Sequence, residues 1–231
     1  MLLPSPRMAD KPRVKAPRQR SGPTSSDANR KRTLLFVIAG AGALLLAGVG
    51  AFVVLGFGGG GGPTTAQGLL EAAGCTLKSY PGVSRQHIYN PSLRPKQWNS
   101  FPPTSGPHYY IPAVYGFYSE PLQLARVLHN LEHGGVYMLY GSKTPSDTVS
   151  KLRTIYDRDP RGLVVAPLPE LGEKIAFGAW TSQNPGSNEV GTGHLALCTH
   201  VDEKAVEAFL AAFRGRGPEG EPLNALQPGG I

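Results

Sequence analysis

Cysteine is nearly absent from the 231 residues. There are two, Cys75 and Cys198, and neither sits in a C-x-x-C pair, which excludes the dithiol redox chemistry of that motif. No G-x-S-x-G stretch offers a nucleophile elbow, no internal repeat is present, and the glycine-rich stretches read as tether or turns, with no phosphate-binding loop among them. An excess of basic charge is missing too, once residues 1–32 are set aside. That segment holds nine of the 23 Lys+Arg and only two acids, Asp10 and Asp27, which leaves 14 basic and 14 acidic residues for everything after it. The formal +7 therefore belongs to the tail, and charge gives no support to a folded part that binds nucleic acid or acidic substrates.

Charge vanishes altogether over residues 33–57, "TLLFVIAGAGALLLAGVGAFVVLGF". At 1.5 Å per helical residue this run covers a hydrocarbon core of about 30 Å, so one transmembrane helix is expected. A secretory signal is the rival, but its apolar part usually spans about 7 to 15 residues and is followed closely by a cleavage site. "EAAGC", ending in Cys75, resembles a lipoprotein box only faintly and lies far beyond the apolar run. The basic tail directly precedes the span, and no Lys or Arg follows it until Lys78, which predicts the tail inside and the domain outside. The tail's Pro, Ser and Arg content reads as a disordered topology signal before it reads as a lipid- or nucleic-acid-binding segment. The expected organisation is a basic cytoplasmic tail (1–32), a span (33–57), a glycine-rich linker (58–68) and an extracytoplasmic domain (69–231) anchored at the cell membrane.

An exported domain with two cysteines invites a Cys75–Cys198 disulfide. Closing a loop of this length stabilises the fold by roughly 4 to 5 kcal/mol in the chain-entropy treatment. The competing idea is a metal held by Cys198 together with His200. Within the domain, helical spacing of Leu124, Leu128 and Leu131 predicts a helix over 120–133, with Pro121 in its first turn and Gly134-Gly135 as its stop. "VYMLYG", "GLVVAP", "KIAFGAW" and "GHLALCTH" read as strands. "SDTVSKLRTIYDR" reads as a helix capped by Ser146 or Asp147, and a last helix starts near Asp202 and ends at Gly215 or Gly217. "LLEAAGC" is either a short helix or the end of the linker. The class is α+β, a small mixed sheet flanked by helices. The long Pro- and aromatic-rich stretch 86–118 shows no periodicity, and such segments are usually functional when ordered.

"HNLEH", residues 129–133, carries the chemistry. His129 and His133 lie four apart on one helical ridge, a spacing at which two imidazoles converge on one ion. His108, at the end of the proline-stiffened "PPTSGPH", is a candidate third ligand and His87 a fourth. Imidazole suits copper or zinc without choosing between them. In the alternative, structural reading, His133 favours the negative end of the helix dipole and Glu132 pairs with an arginine such as Arg126. A metal-free ligand pocket is a third possibility, to which Tyr109, Tyr110, Tyr115, Phe117, Tyr118 and Trp180 could contribute, although Trp180 suits the core better. "HNLEH" also fits H-x-x-E-H of inverted zinc peptidases, but formally only, because no downstream E-x-x-x-E helix offers the third ligand.

"PPTSGPH" (102–108), "GFY" (116–118), "LHNLEHGGVYMLY" (128–140), "VVAP" (164–167), "IAFGAW" (175–180) and "GPE" (217–219) occur in the order and spacing of a bacterial family. The chain resembles domain-of-unknown-function family 3105, of membrane-anchored actinobacterial type, over about residues 87–219. The resemblance implies a single-span or secreted protein in which His87, His108, His129 and His133 with Glu132 form a shared site. It supplies no function. Many members carry a cysteine beside the Gly-x-Tyr motif where this chain has Val114 and Tyr115, so a family disulfide there does not carry over and Cys75 with Cys198 is its candidate replacement. Three functions remain open: capture of copper or zinc at the cell surface, a metal-assisted hydrolase or oxidoreductase with Glu132 as acid/base, and a non-catalytic envelope interaction domain.

Overall fold

Residues 136–140, 163–167 and 175–181 are apolar runs without the alternation of a half-wet sheet, and in the computed structural model they are strands buried on both faces. The structure describes residues 65–231. The basic tail, the apolar run 33–57 and residues 58–64 of the linker lie outside the described residues, among which no helix is long and apolar enough to cross a membrane.

The elements are α1 (Ala66–Ala72), β1 (Thr76–Pro81), β2 (His87–Ile88), β3 (His108–Tyr109), β4 (Gly116–Phe117), α2 (Leu124–Glu132), β5 (Val136–Tyr140), α3 (Ser146–Arg158), β6 (Leu163–Pro167), a 3-10 turn (Pro169–Leu171), β7 (Ile175–Thr181), β8 (Thr192–Cys198) and α4 (Glu203–Phe213). A mixed six-stranded sheet runs β1-β8-β7-β5-β6-β4, and β2 and β3 make a small separate pair. β5, β6 and β4 are mutually parallel along the sheet, whereas β7, β8 and β1 join antiparallel. The parallel step from β5 to β6 needs a crossover, and α3 is that crossover.

Alternate residues of the central strands feed two apolar layers. Val136, Met138, Val165 and Phe177 pack with Leu70 of α1, Leu152 and Ile155 of α3 and Phe209 of α4. Tyr137, Leu139, Val164 and Trp180 pack with Leu124, Val127, Leu128 and Leu131 of α2. A nine-residue helix such as α2 is marginal alone. Burial of those four side chains, worth roughly 1.5–3 kcal/mol each, is what holds it against the sheet. Tyr137 lies across Gly178, its register partner on β7, where a Cβ would come within 2.0 Å of the ring.

The helix expected over 120–133 begins four residues later. Pro121 disfavours helical backbone at Glu120, and the chain stays extended through Gln123, which caps without a side-chain hydrogen bond. α3 is capped by Pro145 rather than by Ser146 or Asp147. Proline fixes φ near the value required and has no N–H to lose, and Asp147 instead accepts from the Thr148 N–H at 2.7 Å. Asp202 caps α4 as expected, accepting from the Ala205 N–H at 2.9 Å. α1 starts at Ala66, capped by the Thr65 hydroxyl, so regular structure begins ahead of Leu69.

Cys75 and Cys198 form the disulfide, joining the start of β1 to the end of β8 across a sequence separation of 123. A metal on Cys198 is thereby excluded, since its thiol is consumed in the bond.

Candidate metal centre

The site lies on the α2 face of the sheet. α2 supplies His129 and Glu132 from its C-terminal half, with His133 as its C-cap. The loop over residues 86–118 supplies the others: β2 and β3 pair in parallel with His87 opposite His108, which sets the two rings side by side with centroids 5.0 Å apart. Local hydrogen bonds fix the approach to His108. Ser100 Oγ accepts from the Thr104 N–H, the Trp98 Nε1–H donates to the Pro107 carbonyl at 3.0 Å, and Tyr137 Oη donates to the Pro102 carbonyl. Farther along the loop, fully buried Asn130 clamps Ala113 through both its amide atoms, donating to the carbonyl at 2.8 Å and accepting from the N–H at 3.0 Å.

Tautomers follow from these partners. His108 Nδ1 lies 2.8 Å from the Gly106 carbonyl and His129 Nδ1 lies 2.8 Å from the Tyr109 carbonyl. A carbonyl only accepts, so each Nδ1 carries a proton, and whenever such a ring is neutral its Nε2 is a lone pair. Second partners that orient ligating imidazoles in this way are characteristic of metal-binding histidines. His108 is completely buried, and its Nε2 stands 2.9 Å from Glu132 Oε2 without the alignment of a hydrogen bond. Both atoms lack a hydrogen-bond partner among the described residues. A cation shared by the two atoms, a proton on Nε2 or a metal ion, would satisfy both.

Glu132 itself is 1 % exposed, and its other oxygen, Oε1, accepts from Arg85 Nε at 2.6 Å. Burial pushes the Glu132 carboxyl up, but His108 and Arg85 together outweigh it and hold the group at about 2. Burial dominates at His129, pulling its imidazole down to about 4 with help from His108 and against the Tyr109 carbonyl bond. A buried, neutral imidazole beside a buried carboxylate is a donor pair that could hold a metal ion.

The sequence-selected residues divide into two groups. His87, His108, His129 and Glu132 bring one ligand atom each within 4.8 Å of one another, and so do His129, His133 and Glu219. His133 thus stands apart from His108 and His87, sharing only His129 with them. Glu219 reaches His133 Nε2 at 3.0 Å because its own N–H donates to the Glu132 carbonyl at 3.1 Å and the Gly215 N–H donates to the Gly134 carbonyl at 2.7 Å. Gly217 makes that approach possible: a Cβ there would fall 2.2 Å from Gly134 N and 2.3 Å from the Glu132 carbonyl. Glu219 was visible in the sequence only as the end of "GPE", and Arg85 carried no signal at all. Arg126, expected beside Glu132, instead donates to Gln123 and the Ile111 carbonyl and lies over the Tyr109 ring at 4.4 Å.

Of the aromatics, Trp180 is fully buried core and meets His108 edge-on at 5.9 Å. Tyr115 is also core, while Phe117 packs on the opposite layer against Tyr156 and Arg153. Two surface cavities of about 320 and 310 Å³ open elsewhere, and neither is lined by a histidine.

No curated protein and no solved structure gives a significant match. Residues 92–225 match the family described as "Protein of unknown function (DUF3105)", a span that contains His108, His129, Glu132, His133 and Glu219 and begins just after Arg85 and His87. With more than half of its length matched, the chain belongs to this family of proteins of unknown function.

Proposed function

We propose that the domain binds one divalent transition-metal ion, zinc or copper, through His87, His108, His129 and Glu132. The observation that carries this reading is the buried pair of unpartnered acceptors, His108 Nε2 and Glu132 Oε2, 2.9 Å apart. Unsatisfied buried polar atoms are rare and costly, and a cation between these two converts the cost into two ligand bonds. Three imidazole nitrogens and one carboxylate oxygen suit zinc or copper(II), and the absence of thiolate or thioether ligands argues against copper(I). Bound there, the ion would supply Lewis acidity. Arg85 would hold Glu132 in place, and the Gly106 and Tyr109 carbonyls would fix the ring orientations.

The full chain, produced in an oxidising compartment and desalted, should retain close to one equivalent of zinc or copper by elemental mass spectrometry, and His108→Ala should retain none. Equal metal content in the two proteins would defeat the assignment.

In this reading the apolar run 33–57 anchors the domain outside a membrane, with the basic tail inside. What supports that placement is the run's length, the Lys/Arg asymmetry and the disulfide, which belongs to an oxidising compartment. A metal-dependent hydrolase or oxidoreductase is the second reading. It is favoured by the His87 side chain, 43 % exposed, which leaves one side of the ligand group open to solvent. Because Glu132 Oε1 is tied to Arg85, Glu132 fits the role of ligand or anchor better than that of a mobile acid/base.

A further inference from the structure

The geometry points to a second station for the same ion, made by His129, His133 and Glu219, with hand-off between the two stations at His129. This rests on the metal-binding reading above and adds how the ion enters and leaves. His129 is common to both ligand groups. Its Nδ1–H is committed to the Tyr109 carbonyl at 2.8 Å, so one lone pair remains, and one lone pair serves one ion at a time. The groups are therefore alternative positions, not a dinuclear centre.

Arg85 organises both. Its Nε holds Glu132 Oε1 at 2.6 Å and its Nη2 stands 3.9 Å from Glu219 Oε1. Each carboxylate consequently turns its Oε2 toward an imidazole, Glu132 to His108 Nε2 at 2.9 Å and Glu219 to His133 Nε2 at 3.0 Å. With the imidazoles neutral, two carboxylates and one guanidinium carry a net charge of minus one, which accommodates a single dication and opposes a second beside it. The stations differ in access. His108 and Glu132 are buried, whereas the side chains of His133 and Glu219 are 17 % and 30 % exposed. His87 is exposed as well but offers a single ligand on its side. At the His133 and Glu219 station an ion gains two ligands before it must give any up, so the exchange proceeds by ligand substitution and the ion is never left bare in the buried site.

The test uses the full chain loaded with Zn²⁺ and a chromophoric chelator as acceptor, with transfer followed by stopped flow. Wild type should hold one equivalent. Glu219→Gln and His133→Gln, each with an unchanged melting temperature, should still hold one equivalent while transferring it more slowly by about tenfold or more, as expected when a ligand-bearing contact is lost. Unchanged transfer rates, loss of the zinc from either variant at equilibrium, or two equivalents in wild type would each overturn the hand-off. A wild type that retains neither zinc nor copper, or a His108→Ala variant that retains as much metal as wild type, would instead bring down the binding site itself, so the two failures are distinguishable.

Discussion

Replacing Glu132 by glutamine puts an amide N–H where His108 Nε2 presents a lone pair 2.9 Å away, while the amide oxygen still accepts from Arg85. The metal-free Glu132→Gln protein should therefore melt at or above the wild-type temperature, although its zinc affinity falls at least tenfold. Glu132→Ala should lose the metal and also about 2–3 kcal/mol of stability, because Arg85 Nε loses its buried carboxylate partner and the truncation leaves a void. Melting curves recorded with and without chelator separate the two effects. A second residue-scale expectation concerns His194, which lies on β8 away from the ligand groups. Its Nδ1 meets the Ser79 hydroxyl at 3.0 Å and its Nε2 the Thr181 hydroxyl at 2.9 Å, and the ring stacks on Phe213. Burial lowers its pKa from 6.5 to about 4, so the fold favours the neutral ring. The sign follows from linkage: the unfolded chain binds the extra proton, so this contribution is complete above about pH 6.5 and is lost as the pH falls toward 4. His129 acts in the same direction. Denaturant midpoints of His194→Gln should therefore fall less steeply than those of wild type between pH 6.5 and 4, and parallel curves would show that His194 does not contribute.

At the scale of elements, the clamp between the C-terminus of α2 and the segment that follows α4 is the most sensitive contact. Gly134 has φ +103°, and its backbone is packed against Gly217, where a Cβ has no room. Gly217→Ala should cost about 1–3 kcal/mol by overpacking and should displace Glu219 from His133, which slows zinc transfer without abolishing binding. Calorimetry and the chelator assay read the two consequences independently. The same scale shows what the sequence carries. β5, β6 and β7 are legible because residues buried on both faces must be apolar throughout, and His129 with His133 is legible because helical spacing alone brings them together. The start of α2 is not legible, because Pro121 is permitted in a helix's first turn and only the structure shows that it precedes an extended Gln123. Glu219 and Arg85 were not legible as site residues, since both reach the histidines through tertiary hydrogen bonds that no local pattern encodes.

For the whole molecule, the disulfide and the ligand groups lie on opposite layers of the sheet, Cys75 and Cys198 with the α1, α3 and α4 core and the histidines with α2. Cys75→Ser/Cys198→Ser should lower stability by roughly 4–5 kcal/mol, yet below its melting temperature the variant should bind zinc with the stoichiometry of the parent. Loss of binding in a protein that remains folded, judged by circular dichroism, would reveal coupling across the sheet that the two-layer core does not suggest.

The same bond also sets how the domain meets mechanical load. Tension applied at the two ends of the domain enters at Cys75, crosses the sulfur bridge to Cys198 and leaves through α4, so the intervening chain, about 400 Å if drawn out, is never stretched. His87, His108, His129, Glu132 and His133 all lie inside that covalent bypass, whereas Glu219 lies outside it in the tensioned tail. Pulling would load the hydrogen bonds of Gly230, Gly229 and Leu226 to Tyr115 and Gly162 before it reaches the Glu219–His133 contact, and the ligand groups inside the bypass stay unloaded, which makes the exposed carboxylate the one member of the cluster that force can reach.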